Sequence, residues 1–331
     1  MKIVFPVLSL ETGGGARFIY QLANALLDKG HDIEIIIPEK GALAWPVRTK
    51  ITRVKELTPS TIPPADFILP NFYPTVFPAW ESKQGRVVRL SLGYEPLWVK
   101  DANLAKQTYL IGAPILSISQ WHRKLILDQI GLDSTVISGG VDTSVFHPYP
   151  KLSNETDRKS IFYIMRAKTH GYTWKGNDDF LEACKRLKGQ IPDFDIFIVV
   201  PEREAFESPV PYIIKTAYTD LEMARLYAQA DLYVYSSYFE AFGLPPLEAM
   251  ACGTAVITTD CGGIRDYAKH EQNCLIIPPS DIDQLTSFMY RLLSNDHERE
   301  RLAVTGHHLA QPWTWQRTAD QVETFLRSLQ H

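Results

Sequence analysis

Short apolar runs alternate with stretches of helical periodicity along the whole chain. In the first half, the apolar runs predict strands at residues 2–8, 33–37, 66–69, 87–92, 115–118 and 135–137. In the second half, they predict strands at residues 161–165, 194–200, 212–214, 232–235, 255–258 and 274–277. The segments with helical periodicity predict helices at residues 16–29, 175–187, 220–229, 246–251, 280–293 and 299–309. Continuous apolar strands that alternate with helices are typical of parallel sheets covered on both faces.

Two such sets of elements predict two doubly wound, Rossmann-like α/β domains. The segment 146–160 is rich in proline, serine and charge and lacks apolar periodicity, so we place the domain boundary within it. The predicted domains are residues 1–148 and 149–312, followed by residues 313–331. Thr314 is a suitable N-cap for a last helix at residues 315–329. No strand is left in the second half for this helix to follow, so we expect it to cross back and pack on the first domain.

Composition and charge narrow the class of protein. The chain has 331 residues and a net charge of -4, and no excess of basic residues favours a nucleic-acid partner. The first residues lack the long apolar segment of a signal peptide, and no run of 18 apolar residues predicts a membrane span. The four cysteines form no CxxC pair, so we expect reduced thiols rather than a disulfide or a zinc site. Together these features predict a cytoplasmic protein.

The stretch EAFGLPPLEAMACG, residues 240–253, carries two carboxylates on either side of a double proline. It follows the predicted strand 232–235, so it begins at the carboxyl end of a strand. Two prolines fix the backbone at a helix start, where their missing N–H groups cost little. Gly243 allows a ligand to approach the backbone closely. The free N–H groups at such a helix start attract an anion such as a phosphate.

The two carboxylates each have an ordinary and a functional explanation. In the first turn of the helix, Glu248 could simply complement the helix dipole, whereas a ligand diol such as a ribose would use both of its acceptor oxygens. Glu240, just beyond the strand end, could be a solvated loop residue or could contact a ligand. Either residue alone favours the ordinary explanation, but the two together at a helix start favour function.

These residues carry a resemblance to a known family. The segment 240–253, followed by DCGG at residues 260–263, resembles the signature of retaining GT-B glycosyltransferases of family four, the glycosyl transferases group 1. Weaker similarities extend along most of the chain: GGG at 13–15, GHD at 30–32, GVD at 140–142, FHP at 146–148 and NCLIIPP at 273–279. The resemblance implies a GT-B fold, in which two Rossmann-like domains face each other across a cleft and the last helix returns to the first domain.

The resemblance also implies roles for residues of the second domain. Glu248 would hold the ribose hydroxyls of a nucleotide-sugar donor, and Glu240 would lie beside the donor sugar. Donor contacts would also come from three backbone amides, those of Phe242, Gly243 and Leu244.

Two cations complete the implied donor site. Arg166, at a strand end, and Lys175, just before Gly176, would neutralise the diphosphate as negative charge builds on it. A structural ion pair for Arg166 and a solvated loop charge for Lys175 are the ordinary alternatives, and Lys168 could replace either cation. Trp174 and His170 could shape this site or have no role in it.

In the first domain, the glycine run before the first helix does not match GxGxxG, so a dinucleotide site is poorly supported. The resemblance implies that Gly14 or Gly15 lets the backbone approach the donor phosphate, although a simple turn also explains the run. Family members often carry a histidine after the fourth strand, where this chain has Tyr94 and Glu95. Either residue could position the acceptor or act as its base, or the leaving phosphate oxygen could take the acceptor proton. His122, in a helical stretch, is better explained as a structural or surface residue.

No metal or other cofactor is expected, only a nucleotide-diphosphate sugar as co-substrate. Asp281 and Asp283 superficially resemble a metal-binding DxD pair, but they open a predicted helix, where capping explains them better. The residues Trp121–Lys124, together with Lys100 and Lys106, could form a basic face that touches the inner side of a membrane. A solvated helix face explains these residues equally well.

The sequence therefore predicts a metal-independent retaining glycosyltransferase. It would move a hexose from a UDP- or GDP-linked sugar to a hydroxyl of a glycan, a lipid-linked acceptor or a small molecule. The alternatives are a nucleotide-sugar epimerase or hydrolase of the same fold and a non-catalytic nucleotide-sugar-binding protein. The nucleotide base, the sugar, the acceptor and the oligomeric state stay open.

Overall fold

A computed structural model of the chain describes residues 1–151 and 158–330. Residues 152–157, in the middle of the predicted linker, lie outside the described residues. The chain forms two compact units. Unit 1 comprises Met1–Gly140 and Trp313–His331, and unit 2 comprises Val141–Pro312.

Unit 1 is built on parallel strands. A five-stranded sheet has the order β3-β2-β1-β4-β5, and a three-stranded sheet has the order β6-β7-β8. The strands are β1 Lys2–Pro6, β2 Asp32–Pro38, β3 Lys50–Val54, β4 Phe67–Ile68, β5 Arg86–Val87, β6 Arg89–Leu90, β7 Ile115–Ser117 and β8 Thr135–Val136. The helices are α1 Gly14–Asp28, α2 Tyr73–Ser82, α3 Ala102–Gln107, α4 Gln120–Ile130 and, from the end of the chain, α10 Trp315–Ser328. The interior of β1 and β2 is fully buried, as the apolar runs predict.

Three elements of unit 1 were not predicted from the sequence. Strand β3 has the half-exposed sequence KITRV, so it carries no apolar run. Helix α2 contains Pro78 within it and Pro74 in its first turn, which conceal its periodicity. Helix α3 is only six residues long. The single predicted strand 87–92 is wrong: β5 pairs with β4 and β6 pairs with β7, so the apolar run changes partners at Val88.

Helix α10 packs on unit 1 at α1. The Trp315 ring contacts the edge of the Phe18 ring, with centroids 5.3 Å apart, and Thr314 accepts a hydrogen bond from the backbone N–H of Arg317. Glu323 lies 2.8 Å from Lys29 Nζ and 2.7 Å from an Arg327 guanidinium nitrogen. Hydrogen bonds from Lys29 and then Arg327 lower the pKa of Glu323 to about 2.

Protonation of Glu323 is expected to weaken the packing of α10. Because its pKa is lower in the folded than in the unfolded chain, Glu323 stabilises the fold above its ordinary pKa, and this contribution disappears as the pH falls from about 4.5 towards about 2. At pH 7, Glu323→Gln should lower the free energy of unfolding by about 1 kcal/mol. Urea unfolding at pH 7 and pH 3.5 tests this, and the difference from wild type should shrink at the lower pH. Asp320→Asn is a matched control, because Asp320 also contacts Lys29 but is 63% exposed. An equal difference at both pH values would contradict the assignment.

Unit 2 is a six-stranded parallel sheet with the order β11-β10-β9-β12-β13-β14. Its strands are β9 Lys159–Ile164, β10 Phe194–Val199, β11 Ile213–Lys215, β12 Leu232–Tyr235, β13 Ala255–Thr259 and β14 Leu275–Ile277. Its helices are α5 Asn177–Lys188, α6 Asp220–Gln229, α7 Leu244–Ala251, α8 Ile282–Ser294 and α9 Asp296–Ala310. One apolar core joins β9, β10, β12 and β13 to α5 and α8. The element types predicted for this half are confirmed.

The boundary between the units follows Gly140, whereas the predicted boundary follows residue 148. The segment after Gly140 packs on unit 2: the Phe146 ring lies 6.3 Å from the Tyr227 ring, and a side chain at Gly253 would approach Pro148 to 3.2 Å. The FHP segment is therefore part of unit 2, because Phe146 is buried there and Pro148 packs beside Gly253.

In the part of the chain that the structure describes, no helix combines the length and the apolar character that a membrane span requires.

Candidate active site

The loop after β12 brings Glu240 back against the end of β13. The Glu240 N–H donates to the Cys261 carbonyl at 2.7 Å, and the Gly263 N–H donates to the Glu240 carbonyl at 2.9 Å. A Cβ atom at Gly263 would lie 2.3 Å from the Ala241 backbone, so only glycine allows this approach. The DCGG segment thus fixes the backbone position of Glu240 at the carboxyl edge of the sheet.

The N-terminus of α7 is a tight turn at Gly243. Gly243 is the N-cap in a left-handed conformation, with φ 85°, and a Cβ atom there would lie 2.8 Å from Ile264. The Tyr267 hydroxyl donates to the Gly243 carbonyl at 2.5 Å and holds the turn. Among the described residues, the backbone N–H groups of Gly243 and Leu244 have no protein acceptor. Because the two prolines that follow carry no N–H, these two groups are the donors that this helix start offers to an anion.

Helix α7 begins at Leu244, before both prolines and two residues before the predicted start at residue 246. Glu248 is therefore its fifth residue, and the prediction that it lies in the first turn is wrong. Complementing the dipole cannot explain a carboxylate there, because the effect falls off within the first turn. Glu248 is only 3% exposed, and its Oε2 accepts a hydrogen bond from the Tyr227 hydroxyl at 3.3 Å.

Lys175 and Glu240 form an ion pair. Lys175 Nζ lies 2.5 Å from Glu240 Oε1, and the two side chains are 16% and 18% exposed. The solvated explanations for both residues are therefore wrong, since each charge has a partner and is mostly shielded from water. The pair stands at the carboxyl ends of β9 and β12, which are neighbours in the sheet.

Arg166 is paired with Glu202, a residue not predicted from the sequence. The Arg166 Nε donates to Glu202 Oε1 at 2.6 Å, and the Ala167 N–H donates to the other carboxylate oxygen at 3.2 Å. The ordinary explanation of Arg166 as an ion-pair member is thus what the structure shows. Glu202 could have been found from the sequence, because it follows the predicted strand next to β9, and the ends of parallel strands meet at one edge of a sheet.

A cavity of about 310 Å³ opens beside Arg166. Its lining includes Arg166, Lys168, Asn177 and Phe206, but neither Lys175 nor Glu240. Lys168 forms an ion pair with Asp178 at the start of α5, and the two side chains are 51% and 74% exposed.

In unit 1 the glycine run forms the start of α1. Gly13 is the N-cap, and Gly14 and Gly15 are the first two helical residues, so they do not form a loop before the helix. A Cβ atom at Gly13 or Gly14 would meet nothing within 4 Å, and one at Gly15 would make only an ordinary contact with Leu92. The packing of unit 1 therefore gives no reason for glycine here, whereas close approach of a ligand would.

Tyr94 and Glu95 are buried, with 2% of each residue exposed. Glu95 Oε2 lies 2.8 Å from an Arg89 guanidinium nitrogen and accepts a hydrogen bond from the Tyr109 hydroxyl at 2.8 Å. The Arg89 guanidinium carbon lies 3.8 Å from the centroid of the Tyr109 ring. Glu95 is a member of a buried network, and neither it nor Tyr94 is open to an acceptor. The predicted roles of these two residues in positioning or deprotonating an acceptor are not supported by their burial.

His122 lies in the same interior and is fully buried. Its Nε2 is 3.3 Å from the Ser91 hydroxyl, which in turn contacts Tyr109. Burial, with a smaller contribution from the nearby charge of Arg89, lowers the pKa of His122 to about 3. The structural interpretation of His122 is confirmed.

Asp281 caps α8, because its carboxylate accepts a hydrogen bond from the Gln284 N–H at 2.9 Å. Asp283 lies within the first turn of α8 and is 91% exposed. Across residues 1–151 and 158–330, no three metal-binding side chains are grouped as a metal site requires.

Comparison with known proteins connects this geometry to a family. Residues 158–295 match the family model described as glycosyl transferases group 1. Unit 2 belongs to this family. The matched segment contains the stretch 240–253 and DCGG at 260–263, so the resemblance predicted from the sequence is confirmed.

Two curated relatives show how far along the chain the similarity extends. The MMP alpha-(1->4)-mannosyltransferase of Mycolicibacterium hassiacum is 30% identical over 197 residues, which cover 56% of this chain and 46% of that protein. A GDP-mannose-dependent monoacylated alpha-(1-6)-phosphatidylinositol monomannoside mannosyltransferase of Corynebacterium glutamicum is 23% identical, over 76% of this chain and 72% of that protein. The match to the first relative spans about half of its length.

Among solved structures, Anabaena Alr3699/HepE in complex with UDP-glucose superposes with a TM-score of 0.80 at 18% identity, over 99% of this chain and 100% of that one. At this identity the likeness shows the fold alone. The predicted GT-B fold with Rossmann-like α/β units is confirmed.

Proposed function

We propose that this group 1 glycosyltransferase moves a hexose from a nucleotide-diphosphate sugar to a hydroxyl acceptor, keeps the anomeric configuration and uses no metal. The observation that carries the proposal is the arrangement at one sheet edge of unit 2. There the Lys175–Glu240 pair, Arg166 and the unpaired N–H groups of Gly243 and Leu244 follow neighbouring strands. Together these groups provide a carboxylate that can bind sugar hydroxyls. They also provide three kinds of hydrogen-bond donor for a diphosphate: a lysine, an arginine and backbone N–H groups.

The charge balance of the reaction explains why two cations are needed. As the bond between the sugar and the diphosphate breaks, negative charge grows on the leaving oxygen. Lys175, Arg166 and the start of α7 would stabilise this charge without a metal ion. Arg166 would do so while still held by Glu202, because the guanidinium has five N–H donors and the Nε–Glu202 bond uses one of them.

Retention follows from attack on the face that the leaving group departs from. The acceptor oxygen bonds to the anomeric carbon, the bond to the diphosphate oxygen breaks, and that oxygen takes the acceptor proton. This route needs no side-chain base, which agrees with the burial of Tyr94 and Glu95. Glu240 would then hold a hydroxyl of the donor sugar, and unit 1 would bind the acceptor.

The donor would be a UDP- or GDP-linked hexose. One structural neighbour was solved with UDP-glucose, and one relative is named as GDP-mannose-dependent. The same relative's name contains a phosphatidylinositol mannoside, which favours a glycan or lipid-linked acceptor and a location at the inner face of a membrane.

Isothermal titration with UDP and GDP tests the donor half of the proposal. One of the two is expected to bind, with EDTA present, and the matching nucleotide sugar should release its diphosphate only when an acceptor is added. A folded protein that binds neither nucleotide would refute the proposal. Release of free sugar, or a new nucleotide sugar formed without acceptor, would instead favour the hydrolase or the epimerase.

Replacement of Glu248 should weaken nucleotide binding. If its carboxylate accepts two hydrogen bonds from the ribose, Glu248→Gln should raise the Kd of the diphosphate nucleotide about 10- to 100-fold, because bonds to a charged group contribute about 1.5–3 kcal/mol each and the amide keeps one acceptor. Titration with the nucleotide and with inorganic diphosphate measures the effect. Diphosphate lacks a ribose and is the control whose Kd should stay the same. Equal Kd values for the nucleotide in variant and wild type would remove Glu248 from the ribose site.

A further inference from the structure

The segment between β9 and α5 carries two aromatic residues beside the two cations. The Tyr172 ring meets the Trp174 ring edge-on, with centroids 5.9 Å apart at 65°. Trp174 in turn stacks on Phe239, with centroids 5.4 Å apart at 20°. We call Tyr172, Trp174 and Phe239 the aromatic ladder. All three rings are half-buried, and none belongs to the apolar core of unit 2.

Each member of the ladder adjoins one of the charged residues of the proposed donor site. The Arg166 guanidinium carbon lies 3.9 Å from the Tyr172 centroid, and Lys175 Nζ lies 6.0 Å from the Trp174 centroid. Phe239 directly precedes Glu240. The Tyr238 N–H donates to the Trp174 carbonyl at 2.8 Å, which ties the two segments together by their backbones.

These contacts restrict the directions that the charged groups can take. Glu202 holds the Arg166 guanidinium by its Nε edge, and the Tyr172 ring lies close to it, so the group keeps one orientation. The Trp174–Phe239 stack joins the residue before Lys175 to the residue before Glu240. A rigid joint between these neighbours keeps the two partners of the ion pair at a constant separation.

We propose that the aromatic ladder is the positioning element of the donor site. Tyr172 orients Arg166 towards the leaving diphosphate, and Trp174 with Phe239 sets the Lys175–Glu240 pair. This inference rests on the proposed function, because it concerns the orientation of charged groups whose chemical roles that function assigns. It goes beyond that function by assigning Tyr172, Trp174 and Phe239 a positioning role that they exert through the charged groups.

Tyr172→Leu in the full chain is the first test. A misoriented Arg166 would still bind the donor but would stabilise the negative charge of the leaving diphosphate less well. The value of kcat should therefore fall about tenfold or more, while the donor KM changes less than about twofold. Tyr172→Phe keeps the ring and should retain wild-type kcat. Tyr212→Leu is the matched control: Tyr212 is also a half-buried, stacked ring of unit 2, but its partner is Phe206. Its kcat should stay at the wild-type value.

A double-mutant cycle separates positioning from a general loss of structure. If Tyr172 acts through Arg166, then Tyr172→Leu should cost little further activity in an Arg166→Lys background, so that the two losses are not additive. Additive losses, or a fall in kcat that Tyr172→Phe does not restore, would overturn the proposal.

Variants of Trp174 and the wild-type protein distinguish the remaining outcomes of this test. If Tyr172→Leu does not fold, then Trp174→Phe and Trp174→Leu are compared in the same way, and equal kcat values for the two would contradict the ladder. A wild-type protein that binds no nucleotide would refute the proposed function. Wild-type transfer that Tyr172→Leu leaves unchanged would refute the ladder alone.

Discussion

Glu240→Gln is expected to abolish transfer, lowering kcat/KM about 10³-fold or more, while binding of the diphosphate nucleotide persists. Glutamine has the same shape but cannot carry the negative charge that pairs with Lys175 at 2.5 Å. Lys175 then keeps its charge without the partner that sets its position, and a hydroxyl of the donor sugar loses a charged acceptor. Initial rates with the cognate donor and acceptor, together with the nucleotide Kd from titration, measure the two effects separately.

Two further variants serve as comparisons for Glu240→Gln. Glu271→Gln changes a carboxylate of unit 2 that pairs with Arg291 and is 55% exposed, and it should leave the rate unchanged. Lys175→Met should lower both the rate and the nucleotide affinity, because the cation is proposed to bind the diphosphate directly. Near-normal transfer by Glu240→Gln would show that the ion pair is structural and would leave the donor sugar without its assigned contact.

Glu95→Ala is expected to destabilise unit 1 by about 3–5 kcal/mol, the cost of breaking a buried ion pair on one side. Arg89 has no exposed surface and would keep its charge without the carboxylate 2.8 Å away. The Tyr109 hydroxyl would lose the same acceptor. Among the described residues, Arg89 Nε and Nη1 already lack a hydrogen-bond partner, and removal of Glu95 would take away the acceptor of Nη2 as well. Urea unfolding followed by tryptophan fluorescence measures the loss.

The double variant Arg89→Met/Glu95→Leu is the informative control, because replacing both charges by apolar groups removes the unpaired charge. It should recover most of the stability that Glu95→Ala loses. If Glu95→Ala instead unfolds within about 1 kcal/mol of wild type and has lost transfer, the carboxylate is catalytic after all and the predicted base role returns.

Much of the site was predictable because it depends on local sequence. The two carboxylates, the double proline and Gly243 lie within nine residues, and their relation to a strand end and a helix start follows from backbone preferences alone. The cations at 166 and 175 were identified instead through the resemblance to the family, which implies an arginine and a lysine between the first strand and the first helix of the second domain. The start of α7 was misplaced by two residues, and with it the turn that holds Glu248, because prolines are as acceptable inside the first turn as at its first position.

The sequence by itself determined the alternation of strands and helices, the parallel sheets and, except for Glu202, the charged residues of the proposed site at the sheet edge of unit 2. Only the tertiary structure decided which of these residues pair with each other. Lys175 and Glu240 are 65 positions apart, and Arg166 and Glu202 are 36 apart. Their pairing depends on which strands lie side by side and on where the loops beyond them turn. Glu95 is only six positions from Arg89, yet it is buried together with Tyr109, which contacts its carboxylate from 14 positions further along the chain. Local sequence specifies the backbone conformation and therefore the elements, whereas partners and burial arise from packing between distant segments and appear only in the folded chain.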